Sequence, residues 1–199
     1  MSGATPIDVL VLHAVRTLGY ADAARIADRL GLPEDEVREH LLDAQARGWI
    51  TLSAFAGDEG WSLTEVGKAH GERLLAAELD AAGARAALEG IYRDFLPHND
   101  VMTAACTAWQ LAEMGISTHT VTITQTIAAL EGPAAALAGL EDRLTAHLER
   151  FSGYHRRFTD ALLNARTEAS WITGTDRDSC HAVWFELHED LVATLGLTR

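Results

Sequence analysis

The period of the hydrophobic pattern changes twice within the first 80 residues, and that double change limits what this chain can fold into. From Ile7 onward apolar residues recur every three or four positions, the spacing of an amphipathic helix. Ile7, Leu10, Val11, Ala14, Val15 and Leu18 mark a first helix, ended by Gly19. Ala23, Ile26, Ala27 and Leu30 mark a second, stopped by Gly31. Leu32-Pro33 makes a tight turn, and Pro33 suits the first position of a third helix. That helix, Glu34 to Arg47, carries Val37, His40, Leu41 and Ala44 on one side and stops at Gly48. There the period falls to two. Trp49–Leu52 and Trp61–Leu63 read as short strands around a flexible tip, Ala56–Gly60. Ser62 and Glu65 then form an S-x-x-E capping signature for a long helix starting near Thr64. The core expected for this region is Ile26, Leu30, Val37, Leu41, Ile50 and Leu63.

Helix, helix-turn-helix, hairpin, helix is the winged-helix order. The segment AARIADRLGLPEDEVREHLLDAQARGWI, followed by GWSLTEVGKAHGERL, resembles the winged helix of MarR-like bacterial transcriptional regulators over about residues 7–80. Gly48-Trp49-Ile50 matches the lead into the first wing strand, and Leu63-Thr64 with Gly67 matches the L-T-x-x-G that closes the wing. Near the other end, DSCHAVWFELHEDLVATLG resembles the C-terminal part of an actinobacterial group of such regulators. The resemblance implies a mainly α protein with a winged helix-turn-helix domain over 1–81 and a helical C-terminal domain over 82–199. The second domain would serve dimerisation or effector binding. It also implies double-stranded DNA as partner, a homodimer and a small-molecule effector. Helix 34–47 would enter the major groove while the wing touches backbone. The residues so placed toward DNA are Arg25, Arg29, Glu36, Arg38 and Arg47.

Charge runs against that implication. Sixteen basic residues against 29 acidic ones give −13, with no basic tail or block. Phosphate neutralisation supplies most non-specific affinity for nucleic acid, so DNA binders normally carry a positive footprint. A surface this acidic on average repels DNA and anionic membranes. The recognition helix itself holds five acids against Arg38 and Arg47, and it opens Glu34-Asp35-Glu36. A helix N-terminus favours anions, and these three carboxylates already occupy it. The alternative is therefore a winged-helix module that binds proteins or small molecules and no DNA, with an enzyme built on the scaffold as a third reading.

In the second half, Ala84, Ala87, Leu88, Ile91, Tyr92 and Phe95 form an apolar stripe that Pro97 is expected to end. Asn99 or Asp100 would cap the next helix, with Met102, Ala105, Cys106 and Trp109 on one face. Residues 115–127 alternate with period two, as a strand or an extended linker. Gly132-Pro133 punctuates the chain before a helix carrying Leu137, Leu140, Leu144, Leu148 and Phe151, broken at Ser152-Gly153. Tyr154, Phe158, Ala161, Leu162 and Ala165 mark another. The last helix, capped by Asp178 or Ser179, puts His181, Trp184, Phe185, His188, Leu191, Val192 and Leu195 on one face, with Glu186, Glu189 and Asp190 mostly away from it.

The chemistry-bearing residues give few sites. Zinc ligands on one helix need i, i+4 spacing, whereas His181 and His188 lie seven apart. That is ~10 Å along the axis, so neither a metal nor a cofactor is expected. Cys106 and Cys180 sit on or beside apolar stripes and read as buried thiols, although one disulfide between them stays compatible with the sequence. No phosphate loop, G-x-S-x-G elbow or CxxC pair occurs, so no enzyme is expected. Tyr92, His98, Trp109, His181, Trp184 and His188 are the candidates to line a ligand pocket with an apolar body and a few polar anchors. With no apolar run near 18 residues and no basic leader, the expected compartment is the reducing cytoplasm, with no membrane partner.

Overall fold

The computed structural model describes residues 4–55, 57–116 and 121–197. It is mainly helical with one small antiparallel hairpin. The chain divides into two compact units, residues 1–85 with 189–199, and residues 86–188. No helix among the described residues is long and apolar enough to cross a membrane.

The first unit follows the winged-helix order. Helices α1 (Ile7–Leu18), α2 (Ala23–Leu30) and α3 (Glu34–Ala46) precede strands β1 (Ile50–Phe55) and β2 (Asp58–Leu63) and helix α4 (Glu65–Ala81). Both ends of α2 have a physical cause. Asp22 caps α2 by accepting from the Arg25 amide at 2.8 Å. Gly31, with φ of 66°, ends α2 in the left-handed region that only glycine enters cheaply. Val37, Leu41 and Ile26 are fully buried, with Ile50 beside them, and Leu30 and Leu63 pack half-buried against the same core.

The hairpin is longer than the period-two pattern suggests. Ile50 pairs with Leu63 and the register runs on to Phe55 opposite Asp58, so Asp58–Gly60 belong to β2 and not to a loose tip. Alternation fades there because Ser53, Ala54 and Glu59 face water on a two-stranded wing, where no core demands an apolar residue. Trp61 anchors the wing from below: it is buried and its backbone bridges to Ala21. The helix that follows is capped by Thr64, one position before Glu65, and not by Ser62, which stays in β2. The Thr64 hydroxyl accepts from the Gly67 amide at 3.0 Å and donates to the Gly48 carbonyl at 2.7 Å, tying helix to wing.

The C-terminal residues grouped with this unit are held by polar bonds. Arg16 donates to Glu72 at 2.8 Å and to Glu189 at 3.0 Å. His13 Nε2 meets the Asp190 carboxylate at 2.9 Å, with both side chains nearly enclosed. Ala193 closes a small cluster with Val9 and Leu75.

The second unit is built from α5 (Arg85–Glu113), α6 (Ile123–Thr145), a 3₁₀ turn (Glu149–Phe151), α7 (Tyr154–Asn164), α8 (Ser170–Thr173) and the start of α9 (Cys180–Leu195). Several expectations fail here. Pro97 does not break a helix, and Asn99 or Asp100 does not cap one: α5 runs straight through. Arg93 and Pro97 are both exposed, so water can serve the carbonyl the proline leaves unbonded. Leu88, Ile91 and Phe95 on one side of Pro97, with Met102 and Cys106 on the other, all bury, and that outweighs the local cost. Pro133 likewise lies inside α6, so Gly132-Pro133 punctuates nothing, and the helix stops at Thr145 well before Ser152-Gly153.

Residues 117–120 of the period-two stretch lie outside the described residues, but Ile123–Ile127 are helical, not a strand. Thr122 and Gln125 form a capping box that starts α6. In α9 the supposed polar face is buried as well. Glu186 and Asp190 are only 3% and 1% exposed, while Phe185 is 45% exposed and His181 is exposed too. Arg157 explains Glu186: two guanidinium nitrogens reach its two carboxylate oxygens at 2.8 Å each, and Nε donates to Asp178 at 2.7 Å. Burial works against the Arg157 charge, but the bonds to Glu186 and Asp178 outweigh it and raise the guanidinium's pKa above its ordinary value.

Candidate functional site

The face that a winged helix offers to a partner is α3 with the wing. Pro33 precedes α3 and supplies no side-chain cap, so Glu34, Asp35 and Glu36 meet the positive end of the helix dipole themselves. Buried Val37, Leu41 and Ala44 fix the opposite side against the core. Helical spacing then turns Asp35, Arg38, Glu39 and Leu42 outward together. Leu42 is 52% exposed at the centre of this face, and Leu52 on β1 is a second exposed apolar side chain.

The five residues implied for DNA are spread over different settings. Arg38 is exposed but bound to Glu34, one turn back, at 2.5 Å. Glu36 is half-buried. Arg25 and Arg29 are half-buried on α2. Arg47, just past the end of α3, folds back over the Trp49 ring with its guanidinium carbon 5.0 Å from the ring centre. Trp49 in turn stacks on His70 of α4, with ring centres 3.9 Å apart. A cation and two aromatic rings thus form a stack at the root of the wing, which sequence spacing did not reveal, because Trp49 and His70 are brought together only by the docking of α4 on Gly48 and Trp49.

Among the pocket candidates, Tyr92, Trp184 and His188 do come together, in the second unit. The Tyr92 hydroxyl lies 3.4 Å from His188 Nε2. Phe95 stacks on Trp184 at 5.1 Å and tilts against His188 at 5.5 Å. Trp184 Nε1 donates to Asn99 at 3.1 Å. Phe95 fills the space between these rings, so the group is a packed aromatic core rather than a lined cavity. His181 is exposed near Phe185, and His98 and Trp109 are half-buried without a ring contact to the others among the described residues.

The sequence also missed a cleft in the first unit. It has a volume of about 460 Å³ and is lined by Arg16, Glu65, Lys68, Ala69, Glu72, Glu189, Val192 and Leu197. No apolar period marks it, because charged residues from three separated segments make its walls.

Both cysteines are buried free thiols. Burial pushes Cys106 up to about 11 and Cys180 up to about 12, because the buried setting disfavours the thiolate. No group of three or more His, Cys, Asp or Glu able to hold a metal occurs among the described residues. Comparison with protein-family models, curated proteins and solved structures gives no match.

Proposed function

We propose that the winged helix of this chain is a protein-recognition module rather than a reader of DNA, with its α3 and wing face taking a basic segment that carries an apolar anchor. One observation carries the reading. The outward face of α3 sets Asp35 and Glu39 around an exposed Leu42, while its only cation, Arg38, is engaged by Glu34. A phosphate approaching Asp35, Glu39 and Leu42 meets carboxylates, and the arginine beside them, Arg38, is already bound to Glu34. A lysine- or arginine-rich segment meets complementary charge, and Leu42 with Leu52 offers the apolar contact that interfaces place at their centre.

Selection of a random peptide library on the full chain tests this directly. The expected binders are rich in Lys and Arg, carry one apolar residue, weaken with salt and are lost in the Glu39→Lys variant. Binders without that charge pattern would overturn the reading.

The second reading is a MarR-like, DNA-binding transcriptional regulator working as a homodimer. The specific support is the α2–turn–α3 geometry, with Gly31 left-handed at the turn and Arg25 and Arg29 on α2. The cleft beside Arg16 would be the seat of a small effector on that reading. Fluorescence anisotropy on a duplex across a salt series separates the two. Nanomolar binding at about 150 mM salt would favour the regulator; binding weaker than about 10 μM would favour the recognition module.

A further inference from the structure

In a chain with 29 acidic residues, cations without a carboxylate partner are scarce. Arg47 and Arg73 are two of them: both are exposed and neither makes an ion pair among the described residues. Both charges act on one ring, that of His70. Arg47 lies over Trp49, 5.0 Å from its centre. Trp49 stacks on His70 at 3.9 Å. Arg73 Nη2 lies 3.4 Å from His70 Nδ1, in reach to donate to a neutral ring. The whole group belongs to the first unit, from the end of α3, the start of the wing and the second and third turns of α4.

We propose that Arg47, Trp49, His70 and Arg73 form a proton-linked oxyanion site, in which a phosphate, sulfate or carboxylate group is held by the two guanidiniums and His70 gains a proton as it binds. The inference is independent of the partner proposed for α3. Two unpaired guanidiniums held by an aromatic platform are the usual means of gripping an oxyanion, because the planar fork matches its geometry and the ring restrains the side chain before binding.

His70 is the part that reports occupancy. Partial burial and then the charges of Arg73 and Arg47 hold its pKa below 6.5, while Asp8 of α1 opposes them. An oxyanion beside His70 offsets that repulsion and gives the protonated ring an acceptor. Binding and protonation therefore strengthen each other, and affinity rises as pH falls through the titration range of His70. The proton comes from solvent and no covalent step is involved.

The test is NMR titration of the His70 ring in the full chain, with sodium sulfate against sodium chloride at equal ionic strength. The expected result is a His70 midpoint higher in sulfate by about half a pH unit, a threefold gain in proton affinity. That difference should vanish in Arg47→Gln/Arg73→Gln, whose His70 midpoint is already raised in chloride because the two repelling charges are gone. Equal midpoints in sulfate and chloride would overturn the proposal, as would a sulfate effect that survives in the double variant. Two further arms identify the source of the anion. A shift with inorganic phosphate but not with a short DNA duplex assigns a small phosphate-bearing molecule. A shift with the duplex as well as with sulfate and phosphate assigns a nucleic-acid backbone, and a shift with none of the three anions overturns the site.

Discussion

Gly67 approaches the Trp49 carbonyl so closely that a Cβ on it would lie 1.8 Å from the oxygen. No real Cβ survives that distance, so the first turn of α4 docks on the wing root only if this position is glycine. Gly67→Ala is expected to cost at least the 1–3 kcal/mol typical of overpacking, roughly, because backbone and not a flexible side chain must give way. Gly71→Ala is the control: its Cβ would meet Leu12 at an ordinary 3.6 Å, and helix propensity favours alanine. Thermal melts of the two variants check the contrast, and equal melting temperatures would refute it.

That contact shows what a sequence can and cannot disclose here. The L-T-x-x-G pattern was visible, and with it the order of α1 to α4, because each element has one wet and one dry face and its period survives. Leu41 and Val37 could be placed in the core for the same reason. The second half resisted. Pro97 and Pro133 read as stops, yet burial on both sides of each proline carries α5 and α6 through. Glu186 and Asp190 read as a wet face, yet Arg157 and His13, distant in sequence, allow both to bury. The alternating threonines before it mask the capping box of Thr122 and Gln125. The Arg47–Trp49–His70 stack has no local signature, since its members meet only through tertiary docking.

The two buried thiols make folding sensitive to alkali. Both titrate higher in the folded chain than the ordinary value of 9.0, Cys106 at about 11 and Cys180 at about 12, because burial disfavours the thiolate. A raised acid pKa means the unfolded state releases its proton first. The contribution is therefore intact below pH 9 and is lost as pH rises from 9 toward 11 or 12, by at most about 1.4 kcal/mol per pH unit for each thiol. Urea midpoints at pH 8 and pH 10 should fall in the parent chain. They should fall less in Cys106→Ala/Cys180→Ala, and an equal fall in both would count against the assignment.

Arg157 with Glu186 is a nearly enclosed ion pair that a single substitution breaks. The side chains are 10% and 4% exposed, so removing either leaves the other charge with little water. Glu186→Ala or Arg157→Ala is expected to cost about 3–5 kcal/mol. Arg157→Met/Glu186→Leu should recover much of the loss, since the desolvation cost disappears with the pair. Chemical denaturation of the four chains closes the cycle. A double variant as unstable as the sum of the singles would mean the two residues act separately.

His13 and Asp190 make the corresponding bond in the first unit, and it decides how far the winged helix depends on the end of α9. Nε2 and Oδ1 are 2.9 Å apart, the side chains are 9% and 2% exposed, and the Thr194 hydroxyl also donates to Asp190 at 3.2 Å. Arg16 adds its bond to Glu189, and Ala193 packs with Val9 and Leu75. These bonds reach α1, whose inner face supplies Val11, Ala14 and Val15 to the core under α3. Asp190→Leu should therefore destabilise the winged helix itself. The expected readout is faster amide exchange at Val11, Val15 and Leu41, by tenfold or more, for a loss of about 1.4 kcal/mol or greater in local stability. His13→Leu/Asp190→Leu should restore part of that protection. Exchange that quickens only in α9, with α1 and α3 unchanged, would show that the C-terminal turn rests on the winged helix without supporting it.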